Sequence, residues 1–133
     1  MTSKVVYIGN LRTEAVHQRS GAKLITDAPI DNQGKGEAFS PTDMVATALA
    51  SCILTIMGIK ARDKGLDMAG AFAEVQKTMG SQPRRISRVE IIIQMPDKAY
   101  TSEERRYLSE AAEGCPVCRS LSDQLEVDLS IRW

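Results

Sequence analysis

SPTDMVATALASCILTIMGIKARDKG, residues 40–65, decides the fold of this chain. Ser40 suits an N-cap and Pro41 the first helical position. Asp43 stands three residues past the cap, where a carboxylate bonds back to the cap N–H. The spacing predicts a helix running to about Lys64, with Gly65 as its C-cap. Val45, Ala48, Leu49, Cys52, Ile53, Ile56 and Met57 recur at helical intervals. The opposite side is small rather than charged, because Thr47, Ser51 and Thr55 recur every four residues and Gly58 follows them. A helix apolar on one side and small on the other is expected to be buried all round. One thin sheet does not cover such a helix, so the pattern favours a dimer.

Upstream of the helix, KVVYIG, TEAVHQRS and AKLIT read as three short strands. Gly9-Asn10 and Ser20-Gly21 separate them, and Asp27, Ala28 and Pro29 end the third. DNQGKGEAF is a loop whose Gly34 and Gly36 free the backbone. Its GKGE lacks the spacing of a phosphate loop. Downstream, MAGAFAEVQKTM and ISRVEIIIQMP read as a hairpin, with Val89, Ile91 and Ile93 on one face. TSEERRYLSEAAEG is a helix capped by Thr101 or Ser102 and stopped by Gly114, with EERR on an exposed face. CPVCRSLSDQL opens a short helix with Pro116 at its first position, and EVDLSIRW is a closing strand. This order of elements predicts one α+β domain over residues 1–133.

Seventeen Lys and Arg balance seventeen Asp and Glu. That balance gives no electrostatic case for binding nucleic acid or an anionic membrane. The apolar run at residues 48–59 is broken by Ser51, Thr55 and Gly58, and reads as too short to span a bilayer. MTSKVVYIGN holds no apolar run of secretory type, so a cytoplasmic protein is expected. Three cysteines in a reducing compartment point to catalysis, metal or packing rather than a disulfide scaffold.

Cys52 lies in mid-helix, without free N–H groups to help it ionise. Burial penalises a thiolate, so Cys52 reads either as core packing or as a reactive thiol served by a cation from elsewhere. Cys115 precedes a helix start, where free N–H groups favour a thiolate. Cys118, one turn on, completes Cys-x-x-Cys, a pattern used for redox exchange or zinc. Zinc needs four ligands, and only Cys52 and His17 remain to complete a Cys3His set, at a spacing that matches no zinc motif. No metal and no cofactor is expected. Cys118 reads as an idle helix residue or as a competitor of Cys52 for Cys115. His17 and Arg19 read as exposed strand residues.

AFSPTDMVATALASC places a cysteine eleven residues after the helix proline, and GCPVCRSL follows some sixty residues later. Together they resemble the OsmC/Ohr family of peroxide-reducing proteins, over essentially the whole chain. The resemblance implies an OsmC-like fold: antiparallel sheets around a long buried central helix, in an intertwined homodimer with active sites at its interface. It implies Cys52 as the peroxidatic thiol and Cys115 as its resolving partner. It also implies an arginine on an N-terminal strand that holds the thiolate. Arg12, nine residues before Gly21, is the match, with Arg19 in reserve.

The implied chemistry oxidises Cys52 to a sulfenic acid, closes a Cys52–Cys115 disulfide, and reduces it with a dithiol such as a dihydrolipoyl group. An organic hydroperoxide suits an apolar interface better than hydrogen peroxide. One position departs from the family pattern, since the residue after the helix proline is Thr42 rather than glutamate. Asp43 and Glu37 are the candidate substitutes, Asp43 being also the capping acid. Two other readings stand beside this one. The chain is a dithiol exchanger working through Cys115 and Cys118, or a non-catalytic family member that binds an apolar small molecule.

Overall fold

The structure is a computed structural model that describes residues 1–133. The chain divides into two compact units, Met1–Val45 and Ala46–Trp133.

In the first unit, β1 (Ser3–Gly9), β2 (Arg12–His17) and β3 (Lys23–Asp27) form an antiparallel sheet in the order β1-β2-β3. Asn10 and Leu11 turn the chain between β1 and β2 with left-handed φ of 53° and 60°. β1 leaves Val5, Val6, Tyr7 and Ile8 exposed. After β3 the chain makes one 3-10 turn, Ile30–Asn32, and folds back on itself. Gly34 is essential to that return: a Cβ there would lie 1.6 Å from the Ala28 carbonyl oxygen. The Gly34 N–H donates to Pro29 O at 3.0 Å and the Gly36 N–H to Ala28 O at 3.2 Å. The GKGE stretch is therefore the hinge of a folded-back loop, and it delivers Glu37 to the end of β3.

Helix α1 (Pro41–Asp63) begins as its sequence dictates. The Asp43 N–H donates to Ser40 Oγ at 3.0 Å and the Ser40 N–H to Asp43 Oδ2 at 2.8 Å, closing a capping box. It ends in a Schellman motif, with Gly65 at φ +67° and the Leu66 N–H on Ala61 O.

In the second unit, β4 (Phe72–Gly80), β5 (Arg85–Gln94) and β6 (Glu126–Arg132) form a sheet with β5 central. Val89, Ile91 and Ile93 alternate along β5, as the sequence pattern requires, and are fully buried. They share one core with Leu49, Ile53 and Met57 of α1 and Leu108 of α2 (Ser102–Ala112). Burying each such side chain contributes about 1.5–3 kcal/mol. Thr101, rather than Ser102, caps α2, in a box with Glu104. α3 (Pro116–Arg119) is a single turn that leads to β6.

Two expectations are corrected, one for the second sheet and one for the length of α1. The second sheet is mixed rather than antiparallel: β4 and β5 pair antiparallel, but β6 runs parallel to β5. The cause is the helical crossover through α2 and α3, which returns the chain to the end of the sheet where β5 began. Within one chain α1 is buried along one stripe only. Ala46, Leu49, Ala50, Ile53, Met57 and Ala61 are covered, while Val45, Ala48, Ser51, Thr55 and Ile59 are exposed. Finally, α1 has 23 residues and is long and apolar enough to cross a membrane. The interruptions at Ser51, Thr55 and Gly58 do not end it, because small residues are tolerated within a helix. Its stripe packed into the core marks it as the core helix of a folded domain.

Candidate active site

Arg12 opens β2 and stands in register opposite Asp27, the last residue of β3. Facing residues of an antiparallel pair project to the same side. Arg12 Nη2 donates to Asp27 Oδ2 at 3.3 Å and to Glu37 Oε2 at 2.5 Å. The Glu37 N–H donates to the same Asp27 oxygen at 3.0 Å. Asp27 thus ties the folded-back loop to the sheet and holds the guanidinium between two carboxylates. The Asp27 side chain is fully buried, whereas that of Glu37 is 57% exposed. The Asp27 carboxyl nevertheless sits below its ordinary range. The Glu37 N–H is the largest cause, and the bond and charge of Arg12 add to it against the cost of burial. Arg12 is held all the more firmly as a cation, chiefly through its bond to Asp27. Its buried Nε has no hydrogen-bond partner, nor has Asp27 Oδ1. The cluster therefore offers a fixed positive charge with an unused donor.

Glu37 is the carboxylate on Arg12 that the loop supplies. Asp43 closes the helix cap, and the Thr42 hydroxyl lies 3.1 Å from Ser40 Oγ. Sequence reasoning missed Asp27, which it read only as a strand end. The signal was there in the turn at Arg19 and Ser20, since counting back equally from it pairs Arg12 with Asp27. Arg19 itself is exposed, and His17 Nδ1 pairs with Ser20 Oγ at 2.7 Å.

The second unit holds the thiols. Cys52 is half-buried at the edge of the α1 core stripe. Cys115 is fully buried and is the N-cap of α3. Gly114 precedes it and packs near Ile56, one turn beyond Cys52, where an added Cβ would lie 3.2 Å from Ala111 O and 4.0 Å from Ile56 Cγ2. The Cys115 thiol lies beside the Cys52 thiol in one packed cluster, though the two come from distant parts of the chain. The Cys118 N–H donates to Cys115 Sγ at 3.5 Å, and Cys118 is half-buried.

The helix start acts on Cys115 in the expected direction but does not prevail. Burial first, and then the neighbouring Cys52 thiol, push the Cys115 thiol up, and they outweigh the Cys118 and Val117 N–H groups that act downward. α3 is only one turn, so its start is a weak dipole. The three cysteines are unbridged. No three His, Cys, Asp or Glu side chains come together in a metal-holding group.

A family model described as OsmC-like protein matches residues 34–130. Among solved structures, a protein of Psychrobacter arcticus 273-4 is 50% identical, covering 99% of this chain and 96% of its own, with a TM-score of 0.94. It is provisionally described as an osmotic stress induced and detoxification response protein. An organic hydroperoxide resistance protein OsmC of Legionella pneumophila covers 100% of this chain and 98% of its own at 17% identity and a TM-score of 0.77. The organic hydroperoxide resistance protein OhrB of Bacillus subtilis covers 99% and 98% at 17% identity and a TM-score of 0.69. The last two share the fold. No curated protein matches the chain in sequence.

Proposed function

Since the chain belongs to the OsmC-like protein family, we propose that it is a thiol-dependent peroxidase that reduces organic hydroperoxides. The juxtaposition of the Cys115 and Cys52 thiols, which interact strongly enough to raise Cys115, carries this reading. Two thiols that meet from distant parts of a chain are poised to become a disulfide after one of them is oxidised. The names of the Legionella and Bacillus relatives, both organic hydroperoxide resistance proteins, point to the same substrate class.

In this reading the Cys52 thiolate attacks the distal oxygen of the hydroperoxide, the O–O bond breaks, and the alcohol leaves with a proton. Cys52 becomes a sulfenic acid. The Cys115 sulfur attacks the Cys52 sulfur, water leaves, and the Cys52–Cys115 disulfide closes. An external dithiol, of the dihydrolipoyl type, reduces that disulfide by exchange. The family resemblance assigns the role of thiolate-holding cation to Arg12. Its charge is fixed by Asp27 and Glu37, and its unpartnered Nε is the donor left for an anion. Cys115, held as a neutral thiol, does not compete for the peroxide, because the thiolate is the nucleophile.

A homodimer is part of the proposal. The exposed stripe of α1, with Val45, Ala48 and Ile59, and the apolar residues of β1 are faces that a second copy would cover. A cytoplasmic setting would keep the thiols reduced between turnovers. The test is steady-state consumption of cumene hydroperoxide with dihydrolipoamide as reductant, run beside hydrogen peroxide and beside glutathione. Turnover that prefers the organic peroxide and the dithiol is expected. No turnover with any of these pairs would refute the reading.

A further inference from the structure

Cys118 has no task in the cycle above, yet it sits beside the resolving thiol. Cys115 adjoins both other cysteines: it packs beside Cys52, and its Sγ accepts the Cys118 N–H at 3.5 Å. Side chains three residues apart on a helical turn have Cβ atoms ~5–6 Å apart. A disulfide needs about 4 Å, so a rotamer change and a slight tightening of one turn are enough. The turn is short and open, since Pro116, Arg119 and Ser120 are exposed. Exposure also differs along the set. Cys115 is fully buried, whereas Cys118 is half-buried on the open turn. Cys52 adjoins the stripe of α1 that the proposed dimer covers. A dithiol too large to enter that seam would meet Cys118 first.

We propose that Cys118 is a third redox thiol, which takes the disulfide from Cys52 and presents it to the external dithiol. The step balances as an exchange. The Cys118 thiolate attacks the Cys115 sulfur of the Cys52–Cys115 disulfide, the Cys115–Cys118 bond forms, and Cys52 leaves as a thiolate. No oxidant or reductant is consumed. The external dithiol then attacks the Cys118 sulfur, releases Cys115, and closes its own disulfide while both protein thiols return. The relay deepens the peroxidase reading and rests on it.

The experiment oxidises the full-length protein with one equivalent of cumene hydroperoxide, quenches in acid at successive times, alkylates, and maps the disulfides. In the native chain a Cys52–Cys115 link is expected first, followed by a Cys115–Cys118 link with Cys52 alkylated. Cys118→Ser should stall at Cys52–Cys115 and be reduced by dihydrolipoamide roughly tenfold more slowly. A native chain that keeps Cys52–Cys115 while Cys118 stays alkylatable, with a Cys118→Ser variant reduced at the native rate, would overturn the relay alone. An unoxidised Cys52 would overturn the peroxidase reading and the relay with it. Pairing is checked without peroxide in Cys52→Ser equilibrated with oxidised glutathione, which should form Cys115–Cys118. Failure to form that link also overturns the relay.

Discussion

Asp27 and Cys115 are both buried acids that accept a backbone N–H, and they end on opposite sides of their ordinary ranges. At Asp27 the Glu37 N–H and the Arg12 guanidinium overcome burial, and the carboxyl is held down. At Cys115 the Cys118 and Val117 N–H groups lose to burial and to the Cys52 thiol, and the proton stays. The difference lies in the balance of the same forces. At Asp27 one backbone N–H, aided by a guanidinium, outweighs burial, whereas at Cys115 two N–H groups on a thiol do not. The two regions therefore divide the labour. The unit Met1–Val45 builds a cation, and the unit Ala46–Trp133 builds a neutral thiol against a second cysteine.

The hardest blow to this division is Cys52→Ser. It should abolish hydroperoxide turnover, by on the order of a thousandfold or more, in the steady-state assay. Next comes Arg12→Ala, expected to lower kcat/KM by roughly a hundredfold to a thousandfold, the cost of losing one preorganised donor to a reacting anion. Arg12→Lys should recover only part, because an ammonium that holds Asp27 and Glu37 has no second nitrogen, like the unpartnered Nε, left to donate. On the apolar side, Ile91→Ala should destabilise the fold by about 2–5 kcal/mol in urea unfolding, with the Arg12 pairing untouched.

Smaller effects in pH sharpen the contrast. Asp27 has its folded value lowered, so it contributes stability above its unfolded value near about pH 4 and loses it as pH falls through the folded value. Asp27→Asn should flatten that acid limb in thermal melts. Cys115 has its folded value raised, so its contribution is complete below about pH 8.5 and is lost as pH rises toward the folded value. Cys115→Ser should remove that alkaline loss and leave the acid limb as it was. The opposite signs are the prediction.

Much of the fold could be read from periodicity. Alternation along β5, the caps at Ser40 and Thr101, and Gly65 after α1 are local features, and each is found where residue chemistry puts it. The direction of β6 was not local, because alternation is the same in parallel and antiparallel pairing and the crossover sets the direction. Which stripe of α1 a single chain covers was not local either. Val45 and Ala48 fit the apolar spacing as well as Ala46 and Ala50 do, and only the packed sheet chooses between them. At the site, Cys52, Cys115 and Arg12 were singled out by motif, and the structure joins the two cysteines. Glu37 was one of two candidate acids, chosen by a loop whose return at Gly34 no short motif announces. Asp27 needed the strand register.

The central claim is that Cys52 is the sulfur a hydroperoxide oxidises. It is met most directly by treating the Cys115→Ser protein with one equivalent of cumene hydroperoxide in the presence of dimedone and mapping the adduct by mass spectrometry. A dimedone adduct on Cys52 is predicted, formed faster than with hydrogen peroxide. An unmodified Cys52, or an adduct confined to Cys118, would contradict it.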